Sequence, residues 1–350
     1  MKLYHKIRTG IGIAALCLLC GCGGNKNSSY VDTGMNQIEM ADYDGALVSF
    51  SAAREAGENK ELIARGEGIA YLGRTDYDQA VTSFLEALSY CDGTVTDLEY
   101  DINYYLATAY YKAGSYQEAY DTYTAILQLK HKDARAYYLR GLSLLAMGDM
   151  AQATADFDRA LELAPSDYAM YIDIYLALDQ YGYTQEGRGY LENAMKNGSK
   201  TMSDYNKGRI CYYLGDYENA CVYLDNANKT NSSQEVVLAL GQAYEATGDI
   251  NFAASIYTNY LANYGDNAKI YNQLGICKLA VGDYEAAKTA FESGIALNDM
   301  DIMQTLKYNE IMAYEYLGDF KKACVLMETY LMTYPDDEAA LREYEFLKTR

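Results

Sequence analysis

Small, apolar and aromatic positions recur along most of this chain at a spacing close to 34 residues. The stretch GDYENA at 215–220 returns as GDYEAA at 282–287 and GDFKKA at 318–323. Related forms are ADYDGA (41–46), TDYDQA (75–80), GSYQEA (114–119), GDMAQA (148–153), GYTQEG (182–187) and GDINFA (248–253). Their third residues fall at 43, 77, 116, 150, 184, 217, 250, 284 and 320, giving intervals of 34, 39, 34, 34, 33, 33, 34 and 36. Self-similarity at that period marks an array of stacked units in which no unit buries its own faces.

Within each unit the pattern predicts two helices and a sharp corner. In Gly215-Asp216-Tyr217 the glycine can take φ > 0 just past a first helix, and the aspartate can cap a second one whose first turn is acidic. With units beginning near Asn27, Glu61, Tyr100, Ala134, Tyr168, Thr201, Gln234, Ala268 and Gln304, small residues fill place eight (Gly34, Gly68, Ala107, Gly141, Gly208, Gly241, Gly275). Alanines fill place twenty (Ala46, Ala80, Ala119, Ala153, Ala220, Ala253, Ala287, Ala323). A glycine inside a helix costs about 1 kcal/mol relative to alanine, so close approach of the two helices must require it. The fifth unit exchanges the two sizes, with Tyr175 at place eight and Gly187 at place twenty, as volume compensation across one contact would demand. The ninth sets Ile311 against Ala323, which predicts a wider helix pair. Phe50, Phe84, Phe157 and Phe291 recur at place twenty-four, where they should fill the next interface.

This pattern resembles the tetratricopeptide repeat, a 34-residue helix–turn–helix, most closely in the fourth unit through Gly141, Gly148, Ala153, Phe157, Ala160 and Pro165. The resemblance covers residues 27–337 and implies an all-α, right-handed superhelical solenoid of about nine repeats. A final segment, 338–350, carries Ala340, Tyr344 and Leu347 at i, i+4 and i+7 with charges elsewhere, the pattern of a terminal capping helix. Two prolines in 350 residues fit continuous helices. Five extra residues before the third repeat, within 90–99, are expected to form a loop.

The N-terminus follows a different pattern. Lys2, Lys6 and Arg8 precede an apolar run from Ile11 to Leu19 that is too short to span a membrane, which needs about 20 residues. Leu19-Cys20-Gly21-Cys22 closes it and resembles the lipobox of bacterial lipoproteins. That resemblance implies a signal peptide over 1–21, a lipid-bearing Cys22, and a short tether over 22–29. Cys17 and Cys20 each follow leucine and do not fit the lipid-bearing place. Two acyl chains hold a protein at a bilayer where one is marginal. The expected location is a membrane surface facing out of the cytoplasm; Gly23 after the lipidated cysteine also permits transport to an outer membrane, if the cell has one.

Composition narrows the function. A formal charge of −20 argues against nucleic acid, for want of cations to displace phosphate counterions. Removing residues 1–21 takes away three cations and no anion, so −20 becomes −23. Only His5 and His131 are present, which leaves little scope for a histidine-based catalytic or metal site. Cys17-x-x-Cys20 has no second pair to complete a zinc site, and Cys91, Cys211, Cys221, Cys277 and Cys324 are expected to be buried thiols. Phosphate loops and nucleophile motifs are missing, so the chain is expected to be no enzyme, with no cofactor.

Tetratricopeptide arrays hold proteins or peptides in a concave groove, and the resemblance assigns that groove to first-helix places two, five, nine and twelve. Here those places supply Tyr104, Tyr111, Tyr138, Tyr205, Arg209, Tyr212, Gln242, Asn272 and Tyr308, with Glu245 and Glu315 among them. Tyrosine offers a large contact area with a polar tip at small rotamer cost. Other tyrosines stand at places four, eleven and seventeen, which are core positions, and part of the groove set would pack in the same way. The set does not reproduce the family's carboxylate clamp. The expected partner is a protein or extended segment with basic or proline-rich stretches, drawn by charge and cation–π contact. The alternative is a glycan- or nutrient-binding surface lipoprotein; such proteins carry long insertions and tryptophan platforms, and this chain has no tryptophan.

Overall fold

The computed structural model describes residues 29–91, 96–198 and 200–350, and among these it is all helix, turn and loop. The chain divides into two compact units, 1–122 and 123–350. The first holds α1 (Tyr30–Glu39), α2 (Tyr43–Glu55), α3 (Lys60–Gly73), α4 (Tyr77–Ser89), α5 (Asp97–Ala113) and the start of α6 (Tyr116–Leu129). The second continues with α7 (Ala134–Ala146), α8 (Met150–Leu163), α9 (Tyr168–Gln180), α10 (Thr184–Gly198), α11 (Asp204–Tyr213) and α12 (Tyr217–Thr230). It ends with α13 (Gln234–Thr247), α14 (Ile250–Tyr264), α15 (Ala268–Ala280), α16 (Tyr284–Ala296), α17 (Met303–Tyr316), α18 (Phe320–Thr333) and α19 (Glu338–Leu347). Within each unit, hairpins pack on the next in chain order, as α1 on α2 and α3, or α15 on α16 and α17. None of the helices among the described residues is long and apolar enough to cross a membrane.

The corners form as their residues dictate. Asp42, Asp149, Asp216, Asp283 and Asp319 each accept a backbone N–H three residues on, at 3.0 to 3.3 Å, and so satisfy donors at a helix start. Gly215 sits at φ 78°, as expected. The first two corners depart from the glycine rule: Ala41 (φ 57°) and Thr75 (φ 63°) hold the same left-handed conformation. First helices are capped too, by Asn59, Asp133, Asp167 and Asn267, each bonding the third N–H beyond at 2.9 to 3.1 Å.

Packing around the place-eight glycines corrects one expectation. The ring at place twenty-four, more than the alanine at place twenty, claims the space: a Cβ on Gly34 would lie 2.6 Å from Phe50, and one on Gly141 would lie 2.6 Å from Phe157. Phe50 also meets Gly66 in the next repeat, so the same ring fills the interface. Phe50, Phe84, Phe157 and Phe291 are wholly buried. In the fifth repeat, a Cβ on Gly187 would stand 3.1 Å from the Tyr175 ring, as size compensation requires.

Two further corrections follow. The insertion before the third repeat is not all loop, because Asp97 to Glu99 form an extra turn at the head of α5. Thr96 and Glu99 close a reciprocal capping box there, at 3.1 and 2.9 Å. Cys211, Cys221 and Cys277 are buried, whereas Cys91 and Cys324 are only half-buried. Burial pushes the Cys91 thiol up to about 12 and those of Cys211 and Cys221 up to about 11, so they stay protonated and unreactive.

Candidate binding groove

In the first unit, Tyr104 and Tyr111 lie half-buried along α5. Tyr104 meets Tyr100 edge-on at 5.2 Å, and Tyr111 leans on Tyr116 at 5.5 Å. Arg65, on α3, pairs with Asp101 at 2.6 Å and lies over the Tyr105 ring. This surface already satisfies its own cation.

The second unit holds the densest part of the predicted set, on α11. That helix has polar and aromatic residues around it, with Gly208, Ile210 and Cys211 buried. Tyr205, Arg209 and Tyr212 are half-buried on successive turns. The Arg209 guanidinium stands 5.4 Å over the Tyr205 ring, and Arg209 forms no ion pair among the described residues. Tyr212 packs edge-on against Tyr213 at 5.4 Å and leans on Tyr217 at 5.5 Å. Burial raises the Tyr212 and Tyr213 hydroxyls above the ordinary tyrosine range, so both remain donors. Asp173 of α9 is also raised by burial, partly offset by Arg209.

The remaining positions behave differently from one another. Gln242 is exposed on α13. Beside it Glu245 accepts the Tyr257 hydroxyl at 2.8 Å and the Cys277 thiol at 3.5 Å. Asn272 is only 5% exposed, and its carbonyl accepts Asn309 Nδ2 at 2.9 Å, so it ties α15 to α17 instead of facing a ligand. Tyr138 is half-buried against Phe157 at 6.1 Å. Tyr308 meets Tyr330 edge-on at 5.9 Å, beneath the terminal helix. Sequence reasoning missed Tyr213: it stands at place thirteen, outside the groove places, yet completes the α11 cluster.

Among the described residues no group of three or more His, Cys, Asp or Glu side chains is placed to hold a metal ion. Cys22 and the signal segment 1–21 lie outside the described residues, as does most of the tether.

Residues 65–134, 134–167, 205–233 and 268–299 match sequence profiles of the Tetratricopeptide repeat family. Among curated proteins the chain is similar to the TPR repeat-containing protein MJ1428 of Methanocaldococcus jannaschii, 25% identical over 68% of this chain and 43% of that one. It is also similar to the Protein CTR9 homolog of Arabidopsis thaliana, 23% identical over 86% of this chain and 29% of that one. The chain thus spans less than half the length of the curated relatives it matches. Among solved structures, MamA is 22% identical over 48% of this chain and 96% of its own, with a TM-score of 0.40. A tetratricopeptide repeat protein from Parabacteroides merdae is 17% identical over 79% and 95%, with a TM-score of 0.43.

Proposed function

From the premise that this chain is a tetratricopeptide-repeat protein, we propose that it is a non-catalytic scaffold held at a membrane surface outside the cytoplasm. Its task there is to bind a protein or extended peptide segment in envelope assembly, secretion or surface organisation. One observation supports this best: Tyr205, Arg209 and Tyr212 stand half-exposed on one helix, with a guanidinium stacked on a ring, near Asp173 but in no ion pair among the described residues. Aromatic rings with polar tips and an unpaired guanidinium are the residue types that dominate binding energy at protein interfaces. The net charge of −20 favours a partner with basic stretches, and ring faces favour its cations or prolines. The guanidinium is best used on a backbone carbonyl or an acid within the same segment.

Anchoring rests on the lipobox resemblance around Cys22. Two tests separate the anchor from the groove. Replacing Cys22→Ser should move the chain from the membrane fraction to the soluble one; retention in membranes would end the lipoprotein reading. In cross-linking from intact membranes, a Tyr205→Ala, Tyr212→Ala double variant should lose at least one partner at wild-type abundance. An unchanged partner list would remove the α11 cluster from the binding surface.

A further inference from the structure

The terminal helix α19 is fastened at both ends. Asp337 accepts Ala339 N and Ala340 N at 3.1 Å through Oδ1. Its Oδ2 accepts the Tyr330 hydroxyl at 2.7 Å and the Gln304 amide at 3.4 Å. Ala340 and Leu347 are buried with Ile311, Ala323, Met327 and Tyr330.

The middle of the helix is held differently. Glu315, in the last turn of α17, lies within hydrogen-bond reach of Glu343 on α19. Its Oε1 is shut off from solvent and has no donor. A carboxylate oxygen removed from water needs a donor, and leaving it bare is costly. Two carboxylates cannot supply each other; a carboxyl and a carboxylate can, through one shared proton.

No cation nearby forms an ion pair with either glutamate among the described residues, although Arg342 acts on the Tyr308 hydroxyl of the same seam. Arg342 of α19 pairs with Glu338 at 3.6 Å, and Lys348 with Glu345 at 2.6 Å. Lys322 of α18 and Lys307 of α17 act on Glu310. Lys278 of α15 pairs with Asp283 at 3.9 Å, and Lys288 of α16 with Glu285 at 2.5 Å. Arg350 lies over the rings of Phe320 and Phe346. The other titratable groups on this seam are Tyr308 of α17, Tyr330 of α18 and Asp337. None of these is a cation.

We infer that α19 is docked through a proton shared between Glu315 and Glu343, which makes the last helix a pH-sensitive closure of the ninth repeat. This stands apart from the identity of any groove partner. Burial first, then the Glu343 carboxylate, pushes the Glu315 carboxyl from its ordinary 4.5 up to about 7. A carboxyl raised on docking binds its proton more tightly docked than free. Docking is therefore fully supported below about 4.5 and weakens as pH rises through about 7. Release uncovers Met327 and Tyr330 on α18.

Hydrogen exchange on the full chain, corrected for the intrinsic pH dependence of exchange, tests this at single-segment resolution. Between pH 5 and pH 8, protection of residues 340–347 should fall about ten-fold, less than the full shift because both side chains reach water in part. Protection of α17 should stay level. In Glu315→Gln a neutral amide replaces the buried carboxyl, so α19 should stay protected and its protection should no longer change with pH; in Glu343→Gln burial still raises Glu315, so the change with pH should shrink without vanishing. A carbon-13 carboxyl titration should show one glutamate near neutrality in the wild type, a lower midpoint for it in Glu343→Gln, where burial alone raises it, and none in Glu315→Gln. Level wild-type protection, a wild-type pH profile retained in Glu343→Gln, or a fall shared equally by α17 would each overturn the inference.

Discussion

In repeat eight the ring of Phe291 ends beneath Gly275, and every neighbour in its cluster is apolar. In repeat seven the ring of Tyr257 fills the same place beneath Gly241, but its hydroxyl runs on to Glu245 Oε1 at 2.8 Å. One oxygen atom separates the two rings. Its effect is to tie a buried ring to an acid on the predicted groove row. Cys277, from the first helix of the next repeat, adds a thiol to the same carboxylate oxygen at 3.5 Å. Burial and Glu245 drive the Tyr257 hydroxyl far above the ordinary tyrosine range, so it is a permanent donor. Glu245 is thus held from its own repeat and from the next, which fixes its rotamer before any partner arrives.

The largest effect should come from emptying the shared place. Phe291→Ala removes a ring with no accessible surface and leaves a cavity, a loss of about 3–5 kcal/mol in urea unfolding. Because contacts in a solenoid run only between neighbours, the loss should centre on repeats seven to nine and leave the first unit's hydrogen exchange unchanged. A uniform loss along the chain would show that the array unfolds as one block.

Exchanging the two rings' chemistry addresses the difference itself. Tyr257→Phe leaves the packing and withdraws one donor from Glu245, for a cost of about 1–3 kcal/mol. Phe291→Tyr places a hydroxyl beneath Gly275 among apolar neighbours and should cost a similar amount for the opposite reason. Equal stability in either variant would mean that water already reaches these sites.

Much of this was legible in the sequence because it is written in period and size. Place-eight glycine, place-twenty alanine and place-twenty-four ring recur at fixed intervals, and the glycines turned out to be sterically required by the side chain at place twenty-four. Less legible was anything set by one oxygen or one dihedral. Ala41 and Thr75 adopt a left-handed corner without glycine, ahead of Asp42 and Asp76 caps like those that follow the glycine corners. Asn272 occupies a groove place, yet its amide finds Asn309 one repeat on, a pairing that place numbers cannot reveal. Thr96 and Glu99 did carry a readable signal for the longer α5, since a Thr-x-x-Glu spacing is a capping box. Tyr213 carried none. Its role depends on how α11 is turned, and that helix has no clear apolar stripe from which to read it.

The smallest expected effect gives the sharpest form of the comparison. Adding a methyl at Gly275 or Gly241 gains about 1 kcal/mol of helix propensity and forces a ring to move. Phe291 is held by packing alone, so it can slide, and Gly275→Ala should cost only about 1 kcal/mol net. Tyr257 cannot slide without stretching its bond to Glu245, so Gly241→Ala should cost about 1 kcal/mol more. Adding Tyr257→Phe to Gly241→Ala frees the ring, and the two changes together should then cost less than the sum of each alone. Strict additivity in that double-mutant cycle would show that the hydroxyl does not hold the ring in place, and repeats seven and eight would then differ in composition only.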